Sequence, residues 1–137
     1  MSFSQYGDHY LFKDIFLYHW KEESQHAILD EMELRRHHAT LSPADIDQSV
    51  TDFIDLVAAV DGILQAQAAA DAAYFADTCG RMVGDDERTA ITARFLAAYR
   101  WQYIHSGATH PKFVEVMSEL ITPDQADRIG AALETLQ

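Results

Sequence analysis

The sequence predicts an all-α fold, a bundle of antiparallel helices that closes with two short C-terminal helices. Three observations predict it. Apolar residues recur at helical period along most of the chain. No run alternates apolar and polar residues as a half-buried strand would. Two junctions, L-S-P-A-D and I-T-P-D-Q, carry a hydroxyl residue followed by proline, the order that opens a helix. The length of 137 residues suits one helical domain, 1–137, with its own core and is too short for two ordinary ones.

The first helix is expected from about Tyr10 to His38, a stretch without Gly or Pro in which Phe12, Ile15, Phe16, Trp20, Ala27 and Ile28 fall at helical spacing. Ser42 then caps a second helix, with Pro43 at its first position and Asp45 in its first turn, running to about Thr78. Its buried stripe is read as Ile46, Val50, Phe53, Ile54, Val57, Leu64, Ala68 and Phe75. Gly62 inside it costs about 1 kcal/mol relative to Ala and suggests close packing or a bend. Cys79, Gly80 and Gly84 form a stop and a turn. A third helix follows from about Asp85 to His105, with Ile91, Phe95, Ala98, Tyr99 and Gln102 on one side. The S-G-A-T-H-P loop ends it, and P-K-F-V-E-V-M-S-E-L-I makes a shorter helix. Thr122, Pro123 and Gln125 open the last, which runs to about Leu136.

Composition excludes several classes. A net charge of −12, with ten basic residues, argues against nucleic acid or an anionic membrane as partner. The apolar stretches are broken by Asp or Gln well short of the roughly 20 residues a membrane span needs. Cys79 is the only cysteine, so neither an intrachain disulfide nor a thiolate cluster can form. No secretory leader is visible in M-S-F-S-Q-Y-G-D-H-Y, and the expected compartment is the cytoplasm. No G-x-S-x-G or phosphate-cradling glycine loop occurs, and Cys79 has no base near it in sequence.

One polar pattern stands out. Steps of four, three, four, three and four from His19 reach Glu23, His26, Asp30, Glu33 and His37, which therefore share a helix face. Traced backwards, that line meets Ile15 or Phe16 and then Phe12, an apolar lead-in expected to be buried. A polar stripe that continues an apolar face needs compensation by protons, hydrogen bonds or a cation if it is buried. Glu23-Ser24-Gln25-His26 is also a Glu-x-x-His unit, which on a helix aims a carboxylate and an imidazole at one point. That donor pair suits iron, manganese or zinc better than magnesium or calcium. Glu22 points about 100° away. Glu33 lies beside Arg35 and Arg36 and reads as solvated; His37 and His38 read as partners of the helix C-terminal dipole.

The string E-E-S-Q-H-A, set in a long apolar-to-acidic helix, resembles the metal-binding helix of the ferritin-like di-iron carboxylate proteins. The resemblance covers about the first 38 residues. It implies a ferritin-like bundle with a dinuclear iron or manganese centre of the oxidase or oxygenase type, in which Glu23 is a carboxylate ligand and His26 the imidazole. The family pattern needs a second Glu-x-x-His and further Glu ligands; this sequence has no second Glu-x-x-His and no ligand Glu on a helix preceding this one. Among later residues, Asp61 follows the second helix's apolar stripe better than Asp55, while His105 and His110 bracket the loop. The expected metal set is therefore Glu23, His26, His19, Asp30 and Asp61. Either a two-fold homodimer, which repeats Glu23 and His26, or a partner chain or missing N-terminal part would complete the bundle. The alternative is a helical oligomerisation module without metal, a degenerate relative of the same family.

Overall fold

The computed structural model describes residues 9–136, and the leader expectation falls almost wholly outside them. The described residues are helical, with no strand among them. The chain divides into two compact units, Met1–Thr40 and Leu41–Gln137.

The first unit contains α1 (His9–His38). Uninterrupted helix formers carry it for thirty residues, and Arg35, Arg36, His37 and His38 in its last turn complement the dipole. Glu31 accepts from Arg35 at 3.0 Å, with the acid N-terminal to the base, the better order on a helix. The face expected to be buried is open: Phe12, Ile15, Phe16, Trp20 and Ile28 are all exposed. Between Tyr10 and Trp20 apolar side chains occupy the whole circumference of the helix, with no single stripe.

The second unit contains α2 (Pro43–Thr78), α3 (Asp85–Arg100), a π-helical turn (Trp101–His105), a single α-turn α4 (Ser106–Ala108), α5 (Pro111–Leu120) and α6 (Pro123–Glu134). Helix α2 packs on α3 and on α6, and α5 packs on α6. Both expected caps form capping boxes. The Ser42 hydroxyl accepts from the Asp45 N–H while the Asp45 carboxylate accepts from the Ser42 N–H. Thr122 and Gln125 repeat the exchange at α6. Gly80, with φ +76°, follows the α2 C-cap in the left-handed conformation that glycine adopts without a Cβ penalty.

The core is Val50, Leu64, Ala68 and Ala72 of α2 with Ile104, Val116 and Ile129. Of the expected stripe, Ile46, Phe53, Ile54 and Val57 are half-buried and Phe75 is exposed. Phe53 meets Phe113 of α5 with ring centroids 6.2 Å apart. At the α2–α6 contact, Asp47 accepts from Gln125 at 3.1 Å and from Arg128 at 2.6 Å, which holds its carboxyl below the ordinary range, the Gln125 bond first among the causes. The close-packing reading of Gly62 needs correcting: a Cβ there would meet nothing within 4 Å. The third helix also departs from expectation, because α-geometry gives way at Trp101 to a π turn and helical structure persists through Ala108. By length and composition α2 alone among the described residues is apolar enough to cross a membrane, a measure that core helices also pass.

Candidate metal-binding stripe

The uninterrupted helix keeps the stripe in register. Glu23 sits between two imidazoles: its Oε1 lies 3.7 Å from His19 Nε2 and its Oε2 lies 3.5 Å from His26 Nδ1. Two ligands each about 2.1 Å from one tetrahedral ion stand about 3.4 Å apart. The observed separations are close to that spacing, and each carboxylate oxygen faces a different histidine. All three side chains are 55–62% exposed, so the stripe is solvated rather than buried. The Ser24 hydroxyl, between them in sequence, is turned back to donate to the Trp20 carbonyl at 2.7 Å. Asp30 follows on the same face and is also exposed.

Further along, the stripe is spent on local pairs. Glu33 accepts from Arg36 at 2.9 and 2.5 Å and lies 3.3 Å from His37 Nε2. The Arg36 hydrogen bonds hold its carboxyl below the ordinary glutamate range, with His37 adding to the effect.

Asp61 belongs to a different structure. Both of its oxygens accept from Arg100, Oδ1 from Nε at 2.7 Å and Oδ2 from Nη2 at 2.9 Å, and Gln65 donates to Oδ2 at 2.6 Å. The Arg100 hydrogen bonds outweigh burial and lower its carboxyl pKa. The reading of Asp61 as a metal ligand is therefore corrected to that of a buried ion-pair residue joining α2 to α3. Sequence spacing placed it on the inner face correctly and was silent about its partner, thirty-nine residues away. Asp71, in the alanine-rich part of α2, is occupied in the same way: it accepts from Tyr99 Oη at 2.5 Å and from Gln67 at 2.9 Å. His105 Nε2 lies 3.3 Å from the Leu136 carbonyl, and His110 caps α5, its Nδ1 accepting from the Lys112 N–H.

The donor set of α1 fits one side of a metal site. One carboxylate and two imidazoles are the right chemistry for zinc, iron or manganese, but fewer than the four ligands a closed zinc site takes. Among the described residues no group of three or more His, Cys, Asp or Glu side chains converges closely enough to hold an ion by itself. Comparison with protein-family models, with curated proteins and with solved structures gives no match to this chain.

Proposed function

We propose that this chain is a ferritin-like metal-binding helical protein whose dinuclear iron or manganese site is completed by dimerisation. The observation that carries the reading is Glu23 held between His19 and His26 on one face of α1. Glu23 and His26 would be the principal ligands, with His19 and Asp30 on the same face; Asp61 is left out because Arg100 and Gln65 occupy its oxygens. A bound metal of this kind supplies Lewis-acid and redox chemistry at the stripe. The protein's part is to present a carboxylate and two imidazoles at fixed spacing on one helix face. The test is metal content per chain in protein purified without chelator or affinity tag, beside Glu23→Ala/His26→Ala. About one metal per chain, lost in the variant, is the expected result. Protein that takes up neither iron, manganese nor zinc would remove the reading.

A second reading is favoured by the exposed apolar side chains of α1: a metal-free oligomerisation module. It requires the assembly state to be the same in the wild type and in the Glu23→Ala/His26→Ala variant.

A further inference from the structure

Helix α2 is apolar along most of its length, yet only 17% of its most apolar eighteen-residue window is buried. Its buried residues, Val50, Asp61, Leu64, Ala68 and Ala72, form one line along the helix at about 100° per residue. A second line runs about 150° round from the first. Leu56, Ile63, Ala70 and Tyr74 fall on it within about 40° of one another, and Ala59 and Ala66 lie within about 40° of that arc. Leu56, Ile63 and Tyr74 are 60–71% exposed, and the three alanines are exposed as well. This is a single face, about 27 Å long from Leu56 to Tyr74, with small residues between the large ones. A helix that is apolar on opposite sides is ordinarily covered on both.

We infer that this outer face of α2 is a docking surface for a basic amphipathic helix of a partner protein. Charge selects the occupant. Helix α2 holds seven aspartates and no Lys, Arg or His. Asp52, four residues before Leu56, and Asp77, three after Tyr74, lie on the same line, so an exposed carboxylate closes each end of the apolar face. Residues 41–137 hold six Lys and Arg against fifteen Asp and Glu, a formal net of −9. A second copy of α2 laid on this face would set aspartate against aspartate, and like charges across an interface disfavour it. Helix α1, with four Lys and Arg against six Asp and Glu, brings no excess of positive charge either. A partner helix with an apolar stripe and Lys or Arg beside it meets both requirements: it covers Leu56, Ile63 and Tyr74 and places cations near Asp52 and Asp77. The alanines at 59, 66 and 70 let its backbone approach closely. The metal-binding reading concerns α1 and stands or falls separately.

The test uses the full chain and a fluorescein-labelled amphipathic peptide of leucine and lysine, about eighteen residues long to match the face, with binding followed by fluorescence anisotropy. The wild type should bind it in the micromolar range, and should bind a leucine–glutamate peptide of the same pattern at least about tenfold more weakly. Ile63→Lys changes an exposed position to another good helix former, so the circular dichroism spectrum should be unchanged while binding falls about tenfold or more. Asp52→Asn/Asp77→Asn should weaken binding about threefold or more, whereas Asp124→Asn/Asp127→Asn, the same change of charge on exposed positions of α6, should leave it unaltered. Absence of binding, wild-type affinity in Ile63→Lys, or equal losses in the two aspartate pairs would each overturn the proposal. A wild-type dimer that Ile63→Lys makes monomeric would assign the face to a second copy. Adsorption to phosphatidylcholine vesicles that the same variant abolishes would assign it to lipid; either result also overturns the proposal.

Discussion

Replacing Arg100 with Met keeps the aliphatic stem of the side chain and removes the guanidinium from Asp61. The aspartate side chain is only 6% exposed and that of the arginine 17%, so the pair is desolvated rather than a surface contact. Removing one partner of a buried ion pair costs about 3–5 kcal/mol, because the remaining charge is stranded. Gln65 still donates to Asp61 and Arg100 is not wholly enclosed, which lowers the figure to about 2–4 kcal/mol at neutral pH. For a unit of roughly 100 residues this corresponds to a fall in Tm of about 10–25 °C. The pH dependence has a definite sign. In the wild type the Asp61 carboxyl is depressed, chiefly by the Arg100 hydrogen bonds, so the pair's stability is complete above the unfolded carboxyl pKa and is lost as pH falls through the lower folded value. In the variant, burial without the guanidinium favours the protonated form, so the deficit should shrink as pH is lowered from 7 towards 4.5. Urea unfolding followed by far-ultraviolet circular dichroism at both pH values measures this. Asp61→Leu/Arg100→Met should recover most of the loss, since an apolar pair strands no charge. A deficit below about 1 kcal/mol, the worth of an exposed pair, would refute the argument. So would a deficit that does not change with pH, or a double variant as unstable as the single one.

Three further outcomes are expected in the same unit. Ser42→Ala removes the side-chain half of the α2 capping box and should cost about 1 kcal/mol in urea unfolding. Gly62→Ala should stabilise by about 0.5–1 kcal/mol, because the position is helical and the added methyl meets open space, whereas Gly80→Ala should destabilise, because its backbone is left-handed; paired melting curves separate the two. Tyr99→Phe deletes the hydrogen bond to Asp71 and should raise the Asp71 carboxyl pKa from its depressed value, an effect that carbon-detected NMR titration resolves.

The residues that set helix ends were legible because capping is local. Ser42, Pro43 and Asp45, and later Thr122, Pro123 and Gln125, satisfy backbone groups within four positions of themselves, and the structure uses them as the spacing indicates. The all-helical class followed from the same short-range periodicity. The face containing His19, Glu23 and His26 was also legible, since 3.6 residues per turn fixes which side chains are neighbours on one helix.

What periodicity could not supply was the partner of each face. It put Asp61 on the inner side of α2 without disclosing that Arg100, contributed by α3, would occupy its oxygens, and it left Asp71 in an alanine-rich stretch without its bond to Tyr99. It read the lead-in at Phe12, Ile15 and Phe16 as buried because apolar side chains favour burial, yet burial requires a surface to pack against, and these residues are exposed. The π turn at Trp101–His105 likewise leaves no local signature in the sequence. Sequence by itself determined how α2 and α6 are capped and which side chains share a face, because those depend on contacts a few residues long. Only the tertiary structure decided which polar groups are paired and which apolar faces are covered, because those contacts join residues far apart in the chain.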